Sequence, residues 1–174
     1  GYTLDHIDTL TLQKVTFRFV GRSPILSHLS LQARKGELVS IIGENGCGKS
    51  TLANILLQFY TPEEGSIYIN EQSLSDISLE SYRKLVAYIP QEVTIFNGNV
   101  LDNILLGENS SKEEILSFLK EYHFENYFNT FPQGLATQLG EGGVNLSGGQ
   151  KQLIAFARAL LKKPELLILD EATS

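Results

Sequence analysis

Apolar positions along the chain fall into a few periodic runs. Val15, Phe17 and Phe19 alternate with polar residues, as do Leu29, Leu31 and Ala33, which predicts two half-buried antiparallel strands. Residues 37–42 form a nearly continuous apolar run ending at Gly43, the pattern of a buried strand feeding a glycine loop. A helix is predicted from about Lys49, with Leu52, Ile55, Leu56 and Phe59 at helical spacing. Pro62 and Gly65 then break the pattern before a short strand over 66–70. Residues 78–84 read as a helix and 86–89 as a strand ending at Pro90-Gln91. From about 100 to 135 the pattern is helical. There Ser111 and Glu114 have capping-box spacing ahead of Ile115, Phe118, Leu119 and Tyr122. Ser147 and Gln150 repeat that signature, opening a helix that runs to Lys162-Lys163 and stops before Pro164. Residues 166–169 are a short buried strand ending on Asp170. The chain is thus α/β, with a helical block at about 75–150 interrupting it as a subdomain.

Composition narrows the class without naming a function. The 174 residues suit one domain with a sizeable core, and 42% hydrophobic residues are ordinary for a globular protein. A net charge of −6 supplies no basic field that would favour nucleic acid. No apolar run approaches the roughly 20 residues of a membrane helix, and the N-terminus carries no basic-then-apolar signal segment. The single cysteine, Cys47, excludes an internal disulfide.

Chemistry concentrates in three places. Residues 43–50, GENGCGKS, match G-x-x-x-x-G-K-[ST] completely and lie between a predicted strand and a predicted helix. Glycines at Gly43, Gly46 and Gly48 let the backbone of the loop, with Asn45 and Cys47, turn its N–H groups onto phosphate oxygens at a helix N-terminus. Lys49 supplies a charge for the β- and γ-phosphates, Ser50 a hydroxyl ligand for Mg²⁺, and Thr51 support at the α-phosphate. Cys47 is a small filler there, although Lys49 and the helix N-terminus would favour its thiolate. Asp170 ends an apolar strand, as does the aspartate that holds Mg²⁺ in P-loop ATPases. Glu171 follows and points elsewhere, which permits a second task. Ser147, Gly148 and Gly149 form a bare helix N-terminus with a capping serine, a place where a phosphate can approach closely. His6, His28 and His123 show neither metal nor triad spacing.

In this order and spacing GENGCGKST (43–51), LSGGQ (146–150) and LLILDEATS (166–174) resemble the nucleotide-binding domain of ABC ATPases. The resemblance covers about residues 11–174 and implies a P-loop NTPase core, an N-terminal antiparallel β subdomain and an inserted helical subdomain. Residues 1–10 would be a linker from a transmembrane domain. It also implies that Glu171 polarises the attacking water, that Lys49 and Gln91 assist, and that Gln91 can bind Mg²⁺ or its water. Phe19 stands where the family places an aromatic that stacks on adenine. Ser147, Gly148, Gly149 and Gln150 would serve the ATP held by a second copy, in a head-to-tail dimer that we expect to be a homodimer.

Two further stretches point to one branch. Residues 88–104, YIPQEVTIFNGNVLDNI, resemble the exporter pattern in which F-x-G-x-V-x-x-N-I follows the glutamine loop. Residues 137–150, TQLGEGGVNLSGGQ, resemble the exporter stretch T-x-x-G-E-x-G, whose glutamate, here Glu141, touches the transmembrane domain. Lys49 and Ser147 are 98 residues apart, which leaves no room for the coiled-coil insertion of DNA-repair relatives. The implied protein is an ATP-driven exporter at the cytoplasmic face of the cell membrane, nearest in flavour to peptide, bacteriocin and toxin exporters. A soluble ABC-type switch would call for a second ATP domain in tandem and a basic linker. A P-loop kinase would need an acceptor site and no LSGGQ. Family domains continue past E-A-T-S to a switch histidine, so the resemblance also implies a C-terminally incomplete domain. On that expectation residues 39–42 and 166–169 each lose a strand neighbour, and this chain alone turns over little ATP.

Overall fold

The structure is a computed structural model that describes residues 1–40, 48–106, 108 and 110–170, apart from the Lys49 side chain. Two compact units appear, residues 1–88 with 164–174, and residues 89–163. The sequence placed the helical block at about 75–150. Residues 74–88 instead belong with the first unit because Leu74, Ile77, Tyr82 and Val86 pack into its core.

In the first unit β1 (Thr9–Phe17), β2 (Leu26–Arg34), β3 (Glu64–Ile69) and β4 (Gln72–Ser73) form an antiparallel sheet in the order β2-β1-β3-β4. The pairing of β1 with β2 shifts between Leu12 and Val15, and Lys14 there has φ +49°. That bulge breaks simple alternation, so Val15, Thr16 and Phe17 are buried in succession. β1 ends at Phe17, which leaves Phe19 outside the strand and 43% exposed. The leading residues are packed as well: Leu4, Ile7 and Leu10 are buried, and Tyr2 bridges to Ile77.

Helix α1 (Lys49–Leu56) places Leu52, Ile55 and Leu56 in the core, each such side chain contributing about 1.5–3 kcal/mol on burial. Its predicted continuation fails at Phe59, which lies past the helix end and is 62% exposed. Helix α2 (Leu79–Leu85) is capped by Ser78 and leads into β5 (Val86–Ile89). β5 pairs with β8 (Leu166–Leu169), both as predicted in position. Two expectations of burial are corrected. Residues 37–40 form no strand, and Leu38 and Val39 are 92% and 43% exposed. β8 is only half-buried, on the face of Leu166 and Ile168, with Leu167 and Leu169 turned outward. An apolar run becomes a buried strand only when neighbours cover both faces, and the described residues supply cover on one. Ile41 and Ile42 lie outside the described residues.

The second unit holds α3 (Val100–Leu105), α4 (Lys112–Glu121), α5 (Gly148–Leu161) and a two-stranded ribbon of β6 (Gly98–Asn99) and β7 (Gln138–Leu139). Between α4 and β7 the expected helix is replaced by two short 3₁₀ turns, Tyr127–Thr130 and Gly134–Ala136. Val100, Ile104, Ile115, Phe118, Leu119 and Ile154 share one core, whereas Tyr122 is 41% exposed. Ser111 caps α4 by accepting from the Glu114 N–H, one half of the predicted capping box.

Candidate functional site

The site is assembled where α1 begins. Gly48 precedes it with φ +99°, a left-handed conformation that turns the chain sharply into the helix. A Cβ there would stand 2.7 Å from Ile25 Cγ2 and 2.9 Å from Leu26 Cδ2, so the position needs glycine for space as well as for torsion. In the first turn of α1 the Ser50 hydroxyl donates to Asp170 Oδ2 at 2.8 Å, joining residues 120 positions apart. Asp170 is 8% exposed and stands immediately beyond β8. The same Oδ2 accepts a second hydrogen bond, 3.0 Å from the Tyr88 hydroxyl on β5. Burial, with the hydrogen bond and negative charge of Asp170, pushes the Tyr88 phenol up to about 12, so it remains a donor at neutral pH.

A hydroxyl and a carboxylate held together at a helix N-terminus are hard oxygen donors, suited to Mg²⁺. Such a site uses one or two protein ligands, with phosphate and water completing the octahedron. Among the described residues no group of three or more His, Cys, Asp or Glu is placed to hold a metal ion. Thr51 is half-buried beside Ser50. Phe19 meets Phe17 edge-on at 5.2 Å and Tyr60 edge-on at 5.6 Å, while Phe17 and Tyr60 stack at 5.3 Å. This braces the Phe19 ring on two sides and leaves it exposed. Gly43, Asn45, Gly46, Cys47 and Glu171 lie outside the described residues, as does the Lys49 side chain.

The other candidates belong to the second unit. Ser147 and Gln150 close a complete capping box at the start of α5, with Gln150 N–H to Ser147 Oγ at 3.2 Å and Ser147 N–H to Gln150 Oε1 at 3.0 Å. The Gln150 amide is therefore engaged in the cap. Gly148 and Gly149 follow, both exposed. A Cβ on Gly148 would meet nothing within 4 Å, and one on Gly149 only Ser147 Oγ at 4.0 Å. Neither has a positive φ, so nothing among the described residues requires glycine there. Gln91 is exposed directly after β5. His6 pairs with Asp8 and His28 lies near Glu64, both at the surface.

Sequence reading missed Tyr88, and also Asn103, which is 1% exposed. Asn103 accepts from the Phe96 N–H and donates to the Phe96 and Asn99 carbonyls. Arg158 on α5 reaches the Asn103 carbonyl at 2.7 Å and its Oδ1 at 3.2 Å. The signal was present as a polar residue on the apolar face of α3. The two exporter-like stretches also meet: Gly98 pairs with Leu139 and Asn99 with Gln138, and the Glu141 N–H donates to Asn97 Oδ1 at 2.8 Å.

The family model described as ABC transporter matches residues 26–174. The chain belongs to the ABC transporter family. This ABC chain is 43% identical over 166 residues to a Rickettsia bellii protein described as an export ATP-binding/permease protein, covering 94% of the chain and 29% of that protein. It is 40% identical over 167 residues to the human mitochondrial iron-sulfur clusters transporter ABCB7, covering 95% of the chain and 22% of that protein. The solved structure of a bacterial Atm1-family ABC exporter with ATP bound superposes with a TM-score of 0.86 at 36% identity, over 99% of this chain and 31% of that one. The chain thus spans under a third of the length of these relatives. The expected ABC ATPase fold and exporter resemblance are borne out. These relatives' descriptions mention export and iron–sulfur clusters, not peptides or toxins.

Proposed function

We propose that the chain is the ATP-binding and ATP-hydrolysing part of an ABC exporter, coupled to a transmembrane domain at the cytoplasmic face of a membrane. The observation that carries the reading is the 2.8 Å bond between Ser50 and Asp170, which brings the phosphate-loop serine to a buried carboxylate. On this reading Lys49 and the loop amides from Gly43 to Gly48 hold the β- and γ-phosphates, and Phe19 stacks on adenine. Ser50 and Asp170 would hold Mg²⁺, directly or through water, and Gln91 is a further candidate ligand. When bound, Mg²⁺ neutralises charge developing on the phosphate oxygens. Glu171 orients and deprotonates the attacking water.

Gly148 and Gly149 are free of side-chain bulk where a Cβ would meet little among the described residues, which supports a phosphate arriving from outside this chain at the end capped by Ser147. The partner is a second ABC ATPase domain, head to tail, so hydrolysis depends on concentration. Among the described residues no helix is long and apolar enough to cross a membrane. On this reading Glu141 lies in the loop that meets the transmembrane domain.

Titrating a fluorescent ATP analogue tests the site. Lys49→Ala should weaken binding by on the order of 2–5 kcal/mol, since it leaves a phosphate charge unpaired. Equal affinities in folded samples would remove the assignment.

A further inference from the structure

Asp170 Oδ2 receives two hydroxyl hydrogen bonds, and the nucleotide reading uses only the one from Ser50. Tyr88 is the third residue of β5, half-buried while Val86, Ala87 and Ile89 are buried. A phenylalanine would keep the ring at that strand position and remove only the hydroxyl, whose partner is the Asp170 carboxylate.

A carboxylate turns about its Cβ–Cγ bond in a broad, roughly two-fold well, so a single donor leaves its orientation soft. Here donors arrive from two separate elements, α1 and β5, and converge on one oxygen. Two donors fill the lone pairs of Oδ2, so contact with a cation or its water falls to Oδ1. We propose that Tyr88 is a positioning residue for the metal-bound nucleotide, holding the Asp170 carboxylate so that one defined oxygen faces the cation. The proposal rests on the Mg-nucleotide reading. It assigns to a β5 tyrosine, three residues before Gln91, a task that a packing role does not predict.

The test is Tyr88→Phe in the whole chain, read by binding of a fluorescent ATP analogue in EDTA and across a Mg²⁺ titration. The variant should keep wild-type affinity in EDTA. Its half-saturating Mg²⁺ should rise about tenfold, the effect of losing one hydrogen bond to a charged group. A purely structural tyrosine would lower the urea midpoint, or weaken binding equally with and without metal, and leave the Mg²⁺ half-saturation unchanged. That result overturns the proposal. If wild type itself shows no Mg²⁺-dependent binding, the nucleotide reading fails and takes this one with it. If wild type responds and Tyr88→Phe matches it, the positioning role alone is refuted.

Discussion

Alanine at Gly148 and alanine at Gly48 should move stability in opposite directions, although both glycines belong to motifs proposed to face phosphate. Gly148 occupies the first turn of α5 without a positive φ, and its Cβ would meet nothing within 4 Å. Replacing it removes the backbone entropy cost of glycine at no steric charge, a gain of roughly 0.5–1 kcal/mol. Gly48 has φ +99°, and its Cβ would approach Ile25 Cγ2 to 2.7 Å and Leu26 Cδ2 to 2.9 Å. A left-handed non-glycine residue costs roughly 1–2 kcal/mol and overpacking about 1–3 more. Gly48→Ala should therefore lose about 2–5 kcal/mol. Urea unfolding at constant m-value measures both, and in a thermal scan 1 kcal/mol corresponds to about 2–4 °C at this chain length. Gly148→Ala should meanwhile bind nucleotide as wild type does and lose ATP-driven pairing of two copies, followed by sedimentation. A destabilised Gly148→Ala would show that the glycine serves this chain's own fold. A neutral Gly48→Ala would show that the turn into α1 tolerates a side chain.

Asn103→Ala should cost about 2–4 kcal/mol in urea unfolding, because it strips partners from the Phe96 N–H, the Phe96 and Asn99 carbonyls and Arg158. A loss below about 0.5 kcal/mol would mean that water replaces the side chain. Tyr82 is fully buried, donates to the Leu56 carbonyl at 2.6 Å, and has its phenol pushed well above the ordinary value by burial. A raised folded value gives stability that is present below the unfolded value of about 10 and lost as pH rises beyond it. Wild type should therefore lose urea midpoint more steeply above pH 10 than Tyr82→Phe, which should cost about 1 kcal/mol at pH 8. Parallel slopes would refute the assignment.

Much of this protein was legible in one dimension. β5, β8 and α5 stand where periodicity and capping residues put them, because side-chain partition and end-capping are decided within a few residues of sequence. The loop motif over residues 43–50 is contiguous, so its chemistry could be proposed without a fold. Periodicity was less informative where burial depends on a neighbour. Leu38, Val39, Leu167 and Leu169 look like core in sequence and are exposed, since apolar character states a preference and only a covering layer satisfies it. The bulge at Lys14 likewise arises between strands and ends the alternation that pointed to Phe19.

The polar contacts divide the same way. Ser50 and Asp170 were each recognisable, but the bond between them spans 120 residues, and Tyr88 joins the same oxygen across 82. Asn103 and Arg158 meet across 55, and the two exporter-like stretches become one ribbon through β6 and β7. Sequence determined which groups this chain carries and which local elements hold them. The tertiary structure alone decided which oxygen faces which hydroxyl, because a hydrogen bond is fixed to within tenths of an ångström by the path of the chain and leaves no periodic trace along it.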